Sequence, residues 1–564
     1  MELTGAEYIV ECLKAEGVKH IFGVSGSPLL SIMDVLYRTP EIRYIQSQNE
    51  QGAAYMANGY ARATRSTSVC LVSPGGGITN SVSGMAQAFA TATPTLFMAT
   101  EETSRLEGMG ISLAHALDTQ ALMKPITKLA MRVEPVERIG ESIRTGFRVT
   151  ANGRKGPVYL GIPRDMLGKK TQPSLSPPQE YRPGGRVRGD AKDISKAAEL
   201  LAAAQRPAVL ADDAVYWDRA QGLLVELAER LGTPVVATEN NKGMISEDHP
   251  LAMGVASIHG SPPAVYALQN ADVILALGCN FGQFTTAGFG HKVIPEKAKI
   301  IQVDSDACSL GKIYPLAAGI EGSIDSVLED LLLEMKERKI DRRPLSNNSW
   351  VRDTSKKKEE WEKSLEPLQK SDKMPIQRIR LMHDLRRALP ADAVVAGGSG
   401  GTHGWFEYAF KAFVHTTYFG GWHAIGAEVG ESLGARVALP DRTVVAICGD
   451  GGFMMSLQEI ATAVAYKIPV LMVICHNNAF GNMRHTQVKK YGSRFMGTDL
   501  PIPNLADVAR DFGAYGERVE KPDQIIPAVN RGLSSGKFAL LDVIIDNSPE
   551  NLVPPGSIGA EGWQ

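Results

Sequence analysis

Cysteine is scarce and scattered. The 564-residue chain carries six, at positions 12, 70, 279, 308, 448 and 475. No two form a CxxC pair, and several sit inside apolar strands, so buried free thiols in a reducing compartment are the expectation. No apolar run is long enough to span a bilayer. Neither charge dominates: the formal net charge of −2 gives no reason to invoke nucleic acid or an acidic membrane surface. Low-complexity segments and short repeats are absent. The opening segment, MELTGAEYIVECLKAEGV, reads as an amphipathic helix started by a Thr4 cap rather than as a signal peptide. A soluble cytoplasmic protein is expected.

The composition that remains is ordinary for a globular chain, 44% hydrophobic and 22% charged. The length exceeds what one core supports and suggests about three domains. Short apolar strands alternate with helical stretches throughout, the pattern of parallel α/β sheets. Two stretches read as linkers: 169–190, rich in Pro, Gly and charge, and 337–373, rich in Lys and Glu and interrupted by Pro. They divide the chain into units 1–170, 190–337 and 374–564, expected as three doubly wound α/β domains with mostly parallel sheets. The first and third could be cousins of one fold.

The most informative stretch is 443–487. A strand runs into Gly449-Asp450-Gly451-Gly452, and a second strand ends at Asn477-Asn478. Asp450 and Asn477, at the ends of neighbouring strands, can share one hard cation, with the Ala479 carbonyl as a third ligand where the chain turns. The glycines beside them let a diphosphate approach the backbone. Open α/β sheets place their sites at such carboxyl ends. The plainer account is a turn with capping residues, but the paired spacing favours a metal-diphosphate site. Upstream, the glycine-rich 396–403 loop offers Gly401, Thr402 and His403 to a phosphate; the alternative is a flexible loop. Ile425, in a Gly-rich loop, suits a wedge against a bent cofactor or simple core packing. Glu50 lies where a strand gives way to a helix of small residues. By itself it is more readily a dipole-favoured carboxylate than a catalyst; beside the third-unit site it becomes the leading catalytic candidate. The 73–80 loop could face backbone amides to a ligand, yet it is neither GxGxxG nor a P-loop.

Together these residues resemble the thiamine-diphosphate enzymes of the acetolactate synthase, pyruvate decarboxylase and benzaldehyde lyase group. The resemblance spans nearly the whole chain, through the Glu50 segment, 125–128, 156–163, 301–304 and the GDG…NN pair. It implies pyrimidine-binding, central and diphosphate-binding domains, and a site formed between two subunits, so a homodimer at minimum and a homotetramer by family expectation. It implies that Glu50 hydrogen-bonds the cofactor's aminopyrimidine ring across that interface. It further implies that Ile425 holds the cofactor bent, and that Asp450, Asn477 and the Ala479 carbonyl bind Mg²⁺. Phe480 and Gly481 join the cofactor-binding set, and the 480–485 segment is expected at the substrate pocket, with Arg484 facing a carboxylate or solvent.

Some positions depart from the pattern. Gly452 stands where many relatives carry Ser. His423 stands where relatives usually have Gly, with its carbonyl, or its ring as a proton shuttle, near the cofactor amine. Pro28 occupies the loop where benzaldehyde lyases carry a catalytic His. His115 falls near a loop where related enzymes place a Gln and is a catalytic candidate. In the central unit, Gly278-Cys-Asn-Phe-Gly282 and His259-Gly260 resemble the flavin-carrying domain of acetolactate synthases. Asp212-Asp213, however, would repel a pyrophosphate, so FAD is disfavoured there. The expected activity is Mg²⁺- and thiamine-diphosphate-dependent cleavage or ligation of C–C bonds in a 2-oxo acid or 2-hydroxy ketone, acetolactate synthase-like. The alternatives are a 2-hydroxyacyl-CoA lyase, an oxalyl-CoA decarboxylase or a sulfoacetaldehyde-type relative, with CoA met by Lys292, Lys297 and Lys312. A non-catalytic regulator on the same fold is the remaining one.

Overall fold

The computed structural model describes all residues except 1, 107–108, 110–113, 116, 183–185, 341–344, 414–417, 420–423, 549–550 and 559–564. Among the described residues there are three six-stranded sheets, and every strand pair within them is parallel. Their strands read as near-continuous apolar runs because helices cover both faces. Val445–Cys448 and Leu471–Cys475, for example, are buried at every position.

The first sheet runs, in spatial order, Arg43–Gln46, His20–Val24, Ser68–Val72, Thr95–Glu101, Val158–Pro163, Leu129–Arg132. The third runs Tyr418–Phe419, Val394–Gly397, Val444–Gly449, Leu471–His476, Ala539–Ile544, Tyr515–Val519. Numbered within each unit, both read 2-1-3-4-6-5, so the first and third units share one topology. The central sheet differs: Ala252–Ala256, Val235–Thr238, Pro207–Ala211, Val273–Leu277, Lys299–Asp304, Ala318–Glu321. That order, 3-2-1-4-5-6, is the dinucleotide-fold arrangement, with its switch point between Pro207–Ala211 and Val273–Leu277.

Thr4 caps the first helix, Gly5–Ala15: its hydroxyl accepts from the Glu7 N–H while the Glu7 carboxylate accepts from the Thr4 N–H at 2.9 Å. All six cysteines are free, and only Cys308 is exposed. Within the stretch expected as a second linker, Ser349–Gln369 forms a 21-residue helix. Trp350, Val351, Thr354 and Leu365 give it a buried stripe, so its high charge describes only its outer face.

The first and third units lock together through two helices, Glu50–Thr64 and Ala427–Ala438. Small residues let their backbones meet. A Cβ added at Gly434 would fall 1.9 Å from the Met56 carbonyl oxygen, and one at Gly59 would fall 2.0 Å from that of Glu431. This contact fixes where the helix carrying Glu50 begins.

Candidate active site

Three parallel neighbours, Val394–Gly397, Val444–Gly449 and Leu471–His476, end side by side. Their following loops surround a cavity of about 130 Å³. Gly401, Thr402, Ile425, Gly449, Asp450, Gly451, Gly452, Asn477, Ala479, Phe480 and Gly481 line it, with Arg378 and Glu428. Every lining residue comes from the third unit.

Asp450 is 1% exposed and is anchored by backbone donors. Its Oδ1 accepts from the Gly451 N–H at 2.8 Å; its Oδ2 accepts from the N–H groups of Asn477 at 3.0 Å and Asn478 at 2.6 Å. Burial pushes its carboxyl up, and these donors pull partly back. Asn478 adopts the left-handed region at φ 53°. This turns the chain so that the Ala479 carbonyl faces the Asn477 amide. Asn477 donates to Asn547 Oδ1 at 3.0 Å. In that orientation its own amide oxygen lies 3.0 Å from the Ala479 carbonyl oxygen. Reversing the amide relieves the two facing acceptors: its nitrogen then donates to the Ala479 carbonyl at 3.0 Å and its oxygen accepts from Arg378 Nη2 at 3.3 Å. Turned toward a cation, the Asn477 amide oxygen would join the Asp450 carboxylate and the Ala479 carbonyl in an oxygen-only donor set, which suits a hard ion. The tight cradle fits a diphosphate: a Cβ at Gly451 would meet the Phe480 ring at 2.6 Å. Ile425 is 38% exposed, an aliphatic side chain held out beside the cavity. Gly426 follows at φ +92°.

Glu50 is the first residue of its helix, capped by Asn49. Its Oε2 accepts from Asn80 Nδ2 at 3.0 Å, and a Cβ at Gly77 would come within 3.2 Å of its Oε1. A Cβ at Gly75 would lie 3.0 Å from His115 Nδ1. The structure therefore gathers Glu50, Asn80 and His115 around the 73–80 loop, apart from the lining of the Asp450 cavity. His403 is not among the lining residues. Its ring is buried with Nε2 3.1 Å from Glu407 Oε1. Burial alone would lower its pKa, but Glu407 outweighs it and the net direction is up. His423 lies outside the described residues. Arg484 pairs with Asp499 and stacks on Phe495.

Two residues were missed from sequence. Glu459 is buried in the third unit, yet it accepts from Ser47 Oγ at 2.9 Å and from the Gln48 and Asn49 N–H groups. It thus holds the turn that presents Glu50. Nothing in the sequence around it signals this, because the partners lie over 400 positions away. Glu428 is buried on the cavity wall, where a Cβ at Gly452 would meet its Oε1 at 2.9 Å. Burial pushes its carboxyl up to about 7. Its carboxyl occupies the space that a larger residue at 452 would need.

Family models match the chain in the order of its three sheets. The N-terminal TPP binding domain of thiamine pyrophosphate enzymes covers residues 3–125, the central domain 194–331 and the C-terminal TPP binding domain 398–543. The chain belongs to this family of thiamine pyrophosphate-dependent enzymes. It is 33% identical to a probable acetolactate synthase large subunit of Methanocaldococcus jannaschii, over 98% of this chain and 94% of the relative. Acetolactate synthase isozyme 3 large subunit of Escherichia coli is 29% identical over 98% of this chain and 96% of its own length. Sulfoacetaldehyde acetyltransferase of Castellaniella defragrans is 30% identical over 95% and 91%. No helix among the described residues is long and apolar enough to cross a membrane.

Proposed function

We propose that this enzyme is a Mg²⁺-dependent, acetolactate synthase-like carboligase or decarboxylase acting on a 2-oxo acid. The observation that carries it is buried Asp450 with the Asn477 side chain and Ala479 beside it, lining one glycine-walled cavity. Full-length similarity to acetolactate synthase large subunits supports the substrate class. Asp450, Asn477 and the Ala479 carbonyl hold the cation. Gly401, Thr402 and the 449–452 turn receive the diphosphate, and Ile425 supports the cofactor's bend. Thiamine diphosphate, when bound, supplies the carbon nucleophile and the electron sink for breaking and making the C–C bond.

By the family resemblance, Glu50 would hold a proton on the pyrimidine ring of a cofactor bound by a second copy, which accords with its absence from the lining of its own chain's cavity. In this reading the active assembly would be at least a homodimer; a tetramer and a cytoplasmic location accord with it. The functional units are 1–170, 190–337 and 374–564. His115 and His423 remain assigned to acid–base roles near the substrate, and His403 to the cofactor's surroundings.

The central unit carries no flavin in this proposal. At its switch point, Asp212 accepts from Thr238 and Asn241, both at 2.6 Å, and burial pushes its carboxyl up to about 7. Asp213, Asp218 and Asp304 line the crevice beside it, which has room for only about 30 Å³. Arg154, Lys155, Gly153 and Gly278 line it too, so the small volume and the buried Asp212–Asp213 pair, rather than a wholly anionic wall, disfavour a pyrophosphate there. Lys292, Lys297 and Lys312 do not line that crevice.

The test is incubation of protein, thiamine diphosphate and Mg²⁺ with pyruvate, with products read by mass spectrometry. Acetolactate with CO₂ is expected. Turnover of sulfoacetaldehyde instead would move the assignment to the Castellaniella relative's chemistry. Glu50→Gln should slow exchange of the cofactor's reactive C–H proton at least a hundredfold, the usual scale for a positioned proton-transfer group; unchanged exchange would remove Glu50 from the mechanism.

A further inference from the structure

A cavity roomier than the cofactor site's lies away from it. It encloses about 370 Å³ where the central unit, the Ser349–Gln369 helix and the third unit's Arg378–Ala388 helix meet. Its wall is mostly apolar and aromatic, with Trp361 packed edge-on against Tyr408 at 5.5 Å. Five cationic side chains and three carboxylates also line it.

The carboxylates are already matched. Glu247 pairs with Lys242 at 2.6 Å, Glu362 with Lys411 at 3.0 Å, and Glu366 with Lys370 at 3.8 Å. Two of the lining cations, buried Arg386 and half-buried Lys358, form no ion pair among the described residues. Lys358 Nζ donates only to the carbonyls of Glu247 and His249, at 2.8 and 3.2 Å. Arg386 is 8% exposed, its guanidinium 5.3 Å from the Phe410 ring centre and 4.9 Å from that of Phe413. One of its nitrogens reaches the Leu389 and Pro390 carbonyls. Its Nε and Nη1 meet no acceptor among the described residues. A buried donor left without an acceptor is destabilising, more so when charged. Burial accordingly pushes both the Lys358 and the Arg386 pKa down.

We infer that this cavity binds a small organic carboxylate with an aryl or branched aliphatic body. The anion neutralises Lys358 and Arg386, and the apolar body packs among Trp361, Tyr408 and Leu365. Chamber size and surplus charge both favour this class: a body of roughly ten heavy atoms fills a few hundred Å³, and a neutral ligand would leave the cations unmatched.

The test is calorimetric titration of the full-length protein with 3-phenylpropanoate and 4-methylpentanoate. Neither carries the 2-oxo group of the proposed substrate, so the result stands independently of the proposed activity. Saturable binding tighter than about 1 mM is expected, with 3-phenylpropanamide at least tenfold weaker. Lys358→Met should weaken carboxylate binding about tenfold, and Ala409→Trp, which fills the chamber but keeps both cations, should abolish it. Folding of each variant is checked by circular dichroism and by retained thiamine diphosphate binding. The inference is overturned if neither acid binds, if amide and acid bind alike, or if both folded variants bind as the parent does.

Discussion

Replacing Glu428 by glutamine should stabilise the cofactor-free protein at alkaline pH and leave it unchanged at pH 4.5. Glu428 is wholly buried, and its carboxyl is raised from 4.5 to about 7. The folded chain therefore keeps this proton across a range in which the unfolded chain has released it. Stability falls as pH rises through that window, by up to ~1.4 kcal/mol per unit, and the loss is complete above about pH 7. A displacement of about 2.5 units corresponds to ~3 kcal/mol. Glutamine keeps the shape and never ionises. Glu431 adds a parallel loss, since burial raises it to about 8 and the Glu428 charge contributes to that rise. The assay is urea unfolding of parent and E428Q apoprotein at intervals from pH 4.5 to 8.5. The two curves should coincide at the acid end and separate by a few kcal/mol at pH 8. Parallel curves would show that Glu428 ionises normally in the folded state, and the argument from burial would fail.

Three other outcomes are expected. Asp450→Ala should raise the Mg²⁺ concentration needed for half-maximal thiamine diphosphate binding at least tenfold, ~1.4 kcal/mol, read by fluorescence titration; parental Mg²⁺ dependence would remove Asp450 from the ligand set. Gly434→Ala should destabilise the chain by about 3 kcal/mol, since a Cβ 1.9 Å from the Met56 carbonyl oxygen forces the two helices apart. Gly222→Ala, in a helix with nothing within 4 Å of the added Cβ, should gain up to about 1 kcal/mol, and equal unfolding midpoints for the two would refute the close-packing argument. Glu459→Gln should weaken thiamine diphosphate binding by about tenfold, because an amide oxygen replaces a carboxylate among the donors of the 47–49 turn; an unaltered dissociation constant would deny that turn a role in placing Glu50.

The site's third-unit half was legible because it is local. Each loop follows its strand within a few residues, and parallel register brings the ends of 444–449 and 471–476 together without further information. The strand pattern was legible for the same reason: buried parallel strands are short apolar runs. Short edge strands such as Ala318–Glu321 and Tyr515–Val519 were not recognised, since half-exposed edges carry mixed sequence. The Ser349–Gln369 helix was hidden as a linker by its charged outer face.

By itself, then, the chain's sequence determined the class of cofactor, the cation-binding turn and the alternation of strand and helix, all set by neighbours within a few tens of residues. Only the tertiary structure decided that Glu459 holds the turn before Glu50, that Glu428 fills the space at Gly452, and that the first and third units share a topology. It also decided that Lys358 and Arg386 face one cavity without counter-ions. Each of these depends on burial and on contacts between distant segments, and the burial of a charge cannot be read until its surroundings are folded around it.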